Sequence, residues 1–410
     1  MKARMTISPL RDDWNLRPGV TYLNHGSFGP APKPVLAARQ EWFERLESEP
    51  MDFYVRQMED HLAAARERLA AFVGTRGDHL TFVDNATFGM NIVAAGFPLA
   101  AGDEVLATNH EYGAVQRIWR KRCEKIGARF VVQRLPERLG DVEELVEMLF
   151  AAVTPRTRLL VVSHITSPTA VILPVQAICR AARERGIAVC IDGPHAPAAV
   201  AIGLDRLDCD FYAASCHKWL SAPFGSGFLY VHPRARRHIE PVIVSWGASL
   251  SGRPVTWHDE YLWMGTRDPS PFLAVPAAID YLERLDCDGT RGLDAFRNWS
   301  RGLVRLARDR ITRLTGIEPL VPDDPTWFGT MLSFPLPDFV PEATEGIFHP
   351  LQSALWERFQ IETPIVNWHG RRFIRVSCHL YNDADDIERL TAALAELLGE
   401  MAAEKTRGTR

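Results

Sequence analysis

Residues 187–220 read IAVCIDGPHAPAAVAIGLDRLDCDFYAASCHKWL, and this stretch decides the fold. It holds two short apolar runs, Ile187–Ile191 and Phe211–Ala214. Each is apolar at consecutive positions, the pattern of a strand buried on both faces of a sheet. Each also ends in chemistry: Asp192-Gly193-Pro194-His195 after the first, Ser215-Cys216-His217-Lys218 after the second. In an open parallel sheet, ligands bind beyond the carboxyl ends of the strands. One sheet and one site are therefore predicted together.

The pattern extends on both sides. Leu80–Val83, Val105–Thr108, Phe130–Val132, Leu159–Ser163 and Gly227–Val231 are further runs of the same kind. Amphipathic stretches lie between them, among them Val115–Ile126, Val142–Ala152 and Val175–Arg185, the last followed by Gly186 as a helix C′ residue. Alternating strand and helix predicts an α/β fold with a mostly parallel seven-stranded sheet flanked by helices. The link before Gly227–Val231 is too short for a helical crossover, so that strand is expected to be antiparallel. After about residue 270 the texture changes. Helices are expected over 272–285, 292–315 and 383–401, and strands over 330–334 and 372–377. The expected division is a large α/β domain over 18–265 and a smaller α+β domain over 266–410, joined by residues 1–17. The opening stretch LRPGVTYLNHGSFGPAPKP reads as an ordered loop leading into a long helix from Pro34.

Composition narrows the function. The chain has 410 residues, 46% of them apolar and 24% charged, with a formal charge of −4, ordinary for a globular protein. Nothing advertises a surface for nucleic acid, and no membrane-length apolar stretch exists. The N-terminus lacks the apolar core of a secretory signal. The seven cysteines are scattered, with no CxxC pair, which fits a reducing cytoplasm. No histidine spacing demands a metal.

Five of the seven runs end in polar or ionisable residues: Asp84–Thr87, His110–Tyr112, His164–Thr169, Asp192–His195 and Ser215–Lys218. Lys218 is followed by Trp219, Leu220, Pro223 and Phe224, apolar surroundings that would lower its pKa and free it as a nucleophile toward a carbonyl. Asp192 reads either as a helix N-cap or as a buried carboxylate in need of a cation. Together they point to pyridoxal 5'-phosphate, the lysine as Schiff base and the aspartate holding a pyridinium proton. Asn85–Gly89 supplies a helix start for the phosphate.

The segments Tyr22–Gly29, Asn85–Asn91, His110–Ala114, His164–Ala170, Asp192–Ala196, Ser215–Leu220, Gly265–Asp268 and Arg375–Ser377 together resemble the class V aminotransferase family of fold-type I enzymes. The resemblance runs in order over nearly the whole chain and is strongest to its isopenicillin N epimerase-like branch, with cysteine desulfurases as cousins. It implies an enzyme acting on an amino acid through a Schiff base and a Cα carbanion. Lys218 and Asp192 take the roles above. His110 would stack on the cofactor ring, with Tyr112 as rival. Ser167 and His195 would lie near the ring hydroxyl. Ala86, Thr87, Ser215 and His217 would hold the phosphate, joined by Thr266 from a partner subunit, which makes the expected assembly a homodimer with interfacial sites. Arg375 would clamp the substrate carboxylate, and Asn24, His25, Tyr112 and Trp368 would face the substrate.

Two departures from the family pattern matter. The stretch 363–372 carries no cysteine where the desulfurases have a nucleophile, so persulfide chemistry is not expected. Ala86 replaces a hydroxyl residue, leaving backbone N–H groups to bind there. Epimerisation leads; C–S lysis and transamination share every step up to the carbanion. A non-catalytic binding protein is disfavoured by the intact set Lys218, Asp192 and Arg375. A nicotinamide dehydrogenase lacks its GxGxxG.

Overall fold

A computed structural model describes residues 10–287, 289–342 and 348–408. Its main sheet contains β1 (Leu80–Val83), β2 (Glu104–Thr108), β3 (Arg129–Gln133), β4 (Thr157–Ser163), β5 (Ala188–Asp192), β6 (Phe211–Ser215) and β7 (Gly227–Val231). Their spatial order is β1-β7-β6-β5-β4-β2-β3. Neighbours among β2 to β6 pair in parallel. Only β7 runs against its neighbours, β1 and β6, as its short connection requires.

The consecutive apolar residues serve two cores. Leu160 and Val162 of β4 face one, and Leu159 and Val161 face the other. Helices α1 (Lys33–Ser48), α2 (Met58–Phe72), α3 (Ala86–Gly96), α4 (Gly113–Ile126), α5 (Val142–Phe150) and α6 (Val175–Glu184) accompany this sheet. Met90 and Val93 of α3 and Val115 and Trp119 of α4 fill one core. Leu69 of α2, Leu145 of α5 and Ile178 of α6 fill the other.

The expected helix over 272–285 is interrupted. A short turn of helix, Ser270–Leu273, precedes α7 (Val275–Glu283), with Pro276 in the first turn of α7. Proline has no N–H and is tolerated there rather than in mid-helix. Beyond it come α8 (Gly292–Thr315), strand β8 (Met331–Pro335), α9 (Pro350–Phe359), β9 (Ile365–Trp368), β10 (Arg371–Ser377) and α10 (Ala384–Gly408). The three strands form an antiparallel sheet, β8-β10-β9, against α8. The Asp383 carboxylate accepts from Asp386 N–H and caps α10.

The opening loop crosses between the sheets. Thr21 and Tyr22 pair with Ile361 and Glu362, and Asn24 bridges Ser377. The loop then passes over the end of β6. Residues 1–9, where no secretory signal is expected, lie outside the described residues. Among the described residues no helix is long and apolar enough to cross a membrane.

Candidate active site

A cavity of about 740 Å³ opens at the carboxyl edge of the main sheet. Asp84–Thr87 follow β1, Tyr112 follows β2, Ser167 follows β4, Asp192 and His195 end β5, and Ser215, His217 and Lys218 end β6. Ser27 and Phe28 of the opening loop and Arg375 of β10 close the other side.

Lys218 Nζ lies 3.1 Å from His195 Nε2. Burial pushes the Lys218 amine well below its ordinary value, Arg375 adds to that, and Asp192 opposes it. Burial likewise holds the Asp192 carboxyl above the usual carboxylate range, against the pull of Lys218. The two line one cavity yet form no ion pair, and among the described residues no side chain hydrogen-bonds the Asp192 carboxylate. His195 is kept neutral by burial first, then by Lys218 and Arg375, and its Nδ1 is buried without a partner. Gly193 fits because a Cβ there would come within 2.1 Å of the Tyr212 ring.

At the other end of the cavity, α3 presents its N-terminus. Asn85 caps it, accepting from Phe88 N–H at 2.9 Å. Ser215 Oγ accepts from Ala86 N–H at 3.0 Å. The Thr87 hydroxyl has no hydrogen-bond partner among the described residues, and His217 Nδ1 is buried without one. This is a partly unsatisfied helix start of the kind that binds anions.

Arg375 is 4% exposed. It donates to the Ser167 carbonyl at 2.7 Å and to Ser27 Oγ at 2.6 Å, and its Nε has no partner. Burial brings its guanidinium down to about 10, which leaves it charged at neutral pH. No carboxylate neutralises it among the described residues. A buried, uncompensated guanidinium is a seat for an anionic ligand.

Several residues lie elsewhere than the sequence suggested. His110 is fully buried and does not line the cavity; Thr169 Oγ1 binds its Nδ1 at 2.8 Å and Trp368 packs on its ring. Tyr112, half-exposed at the start of α4, reaches the cavity instead. His25 is fully buried beneath Lys218, its Nε2 against the Lys218 carbonyl. Asn24 turns away to Glu362, at 3.1 Å. Trp368 lines an adjoining cavity of about 420 Å³ that shares only Tyr112 and Ser167 with the first. Thr266 is exposed on a loop whose next residue, Arg267, pairs with Asp84 at 2.7 Å.

Glu111, one of the strand-end residues after β2, is a buried acid to which the sequence assigned no role. Glu111 accepts from Thr108 Oγ1 and from Ser163 Oγ, and burial pushes it up to about 7. None of the six described cysteines lines the cavity.

Comparison with known proteins identifies the family and the fold. The family model Aminotransferase class-V matches residues 21–390. Isopenicillin N epimerase of Amycolatopsis lactamdurans is 38% identical over 400 residues, covering 94% of this chain and 97% of that protein. The enzyme of the same name from Streptomyces clavuligerus is 36% identical, with 94% and 96% covered. A solved structure of a C-DES mutant, with glycine covalently linked to its PLP cofactor, superposes with a TM-score of 0.80 at 23% identity, covering 94% of this chain and 98% of that one. That likeness shows the fold, and the sequence matches show the family: this chain belongs to the class V aminotransferases.

Proposed function

We propose that the chain binds pyridoxal 5'-phosphate and inverts the α-carbon of an amino acid. One observation carries the cofactor: Asp192, buried, and Lys218, half-buried, line one cavity and do not pair. A buried carboxylate needs a cation, and a protonated ring nitrogen is one. The unsatisfied start of α3 suits a phosphate. Lys218 would bond the carbonyl carbon, and Asp192 would hold the ring nitrogen. Thr87, Ala86, Ser215 and His217 would hold the phosphate, and His195 and Ser167 would stand near the ring hydroxyl. Tyr112 replaces His110 as the residue against the ring.

When bound, the cofactor supplies a sink for negative charge at the substrate's Cα. The rest falls to the protein. Arg375 binds the substrate carboxylate and fixes which Cα bond faces Lys218. The Lys218 amine, its pKa lowered by burial and Arg375, takes the Cα proton that faces it, and inversion follows when a proton is delivered to the opposite face of the same carbon. His195, held neutral, accepts a hydrogen bond from Lys218 without competing for its charge. The second subunit of a homodimer would supply Thr266. Trp246 and Val244, 73% and 83% exposed, and Phe224 beside the cavity are apolar surface for it to cover.

Epimerisation is the reading because two relatives, 38% and 36% identical over nearly the whole chain, carry that name. The test is solvent-deuterium exchange at Cα across a panel of L- and D-amino acids and aminoacyl peptides, including cysteine conjugates. The expected result is exchange with inversion. Release of thiol, pyruvate or another keto acid as the main product would overturn it.

A further inference from the structure

The turn Asn24-His25-Gly26-Ser27 holds an imidazole under the lysine rather than beside a substrate. His25 Nε2 lies 3.0 Å from the Lys218 carbonyl oxygen, and its Nδ1 lies 2.9 Å from the Tyr381 hydroxyl. A carbonyl only accepts, so Nε2 carries the hydrogen. Nδ1 is then the acceptor, and the phenol donates to it. The ring is packed between His379 and Trp219, with centroids 4.0 and 5.1 Å away.

The same carbonyl also accepts from Ser221 N–H at 2.7 Å. That bond closes a four-residue turn beginning at Lys218, with Ser221 at a φ of 56° in the left-handed region. Non-glycine residues seldom sit there unless their surroundings hold them. His25 supplies a second donor to the turn's first carbonyl. The approach is tight: a Cβ on Gly29 would stand 2.5 Å from His25 Nε2 and 2.7 Å from the His217 carbonyl oxygen. Two residues on, Ser27 receives the Arg375 guanidinium.

We propose that His25 is a positioning residue, a neutral imidazole of fixed tautomer that orients the Lys218 peptide and so aims Nζ into the cavity. The proposal rests on Lys218 being the Schiff-base lysine. Burial pushes His25 down to about 3, so the ring keeps both bonds through the neutral range. Its titratable neighbours are His217, His379 and Tyr381.

The test uses the cofactor-loaded protein and its apo form. His25→Phe keeps the ring packing and loses both hydrogen bonds. His25→Gln returns an amide N–H near the place of Nε2–H. Three quantities are read: the pH midpoint of the visible cofactor band, the rate of cofactor uptake by apo-protein, and kcat against KM. For His25→Phe the midpoint moves by about half a unit or more. Uptake and kcat fall roughly five- to tenfold with KM little changed, as expected when the hydrogen bond to the Lys218 carbonyl is lost. His25→Gln recovers most of the loss.

An unmoved midpoint with unchanged uptake overturns the proposal. So does a glutamine variant as impaired as the phenylalanine one, or an effect confined to KM. If His25→Phe does not fold, Tyr381→Phe decides, because it removes the hydroxyl that donates to Nδ1 and steadies the ring. A smaller shift in the same direction supports the proposal, and none overturns it. Lys218→Ala separates the two readings. If that variant keeps the visible band, the Schiff-base assignment fails. If it loses the band while the His25 variants behave as wild type, only the positioning role fails.

Discussion

Lys218, half-buried, and Arg375, buried, are basic side chains that line the same cavity, and neither has an ion-pair partner among the described residues. They are held differently. Arg375 leans on a carbonyl and a hydroxyl, neutral acceptors that fix its plane and leave its charge uncompensated. Lys218 touches a neutral imidazole and feels Asp192 from beyond ion-pair distance. An arginine cannot lose its proton in such a place, whereas a lysine can. One cation is therefore built to stay charged and receive an anion, and the other to change its protonation state.

The strongest way to break that contrast is Lys218→Ala. Cα-deuterium exchange should fall by roughly 10³-fold, within the usual range for loss of a positioned acid–base group. The visible band should vanish, and borohydride should no longer attach the cofactor to the chain. Wild-type exchange in this variant would end the assignment.

Arg375→Gln sharpens the contrast from the other side. A charged hydrogen-bonding partner is worth about 1.5–3 kcal/mol, so kcat/KM for carboxylate-bearing substrates should drop roughly 10- to 100-fold. The same change should move Lys218. Arg375 helps to lower the lysine's pKa, so removing its positive charge raises that pKa. The pH profile of Lys218 reactivity in the apo-protein, read by labelling with a small acylating reagent, should shift upward. A downward shift, or none, would mean the two cations do not sense each other.

How far the sequence reached follows the same division. The end of β6 was legible because a doubly buried strand reads as a continuous apolar run, and Ser215, His217 and Lys218 break it at the edge where ligands bind. Asp192 and Tyr112 came from the same logic. Choosing between His110 and Tyr112 did not, because both follow β2 by a few residues. Tyr112 stands just before α4 and projects outward, while Thr169 draws His110 inward. The orientations of Asn24, His25 and Trp368 were not legible for a related reason. Glu362, Tyr381 and Asn109 decide where they point, and those partners are hundreds of residues away in sequence. Local pattern carries no information about such contacts.

The smallest expected effect tests whether the neutral seat of Arg375 matters at all. Ser27→Ala removes one of the three oxygens that hold the guanidinium, the others being the Ser167 carbonyl and Ser167 Oγ, and leaves the charge in place. A single hydrogen bond is worth about 1 kcal/mol, so KM for the carboxylate substrate should rise about fivefold while kcat changes little. The KM–kcat split is what distinguishes the two cations: losing the seat of Arg375 weakens binding, whereas loosening the turn beneath Lys218 slows the chemical step. A Ser27→Ala enzyme with unchanged KM would show that Ser167, through its carbonyl and hydroxyl, suffices to orient Arg375. One that lost kcat instead would show that the opening loop serves both cations through the same turn, and the separation drawn between them would no longer hold.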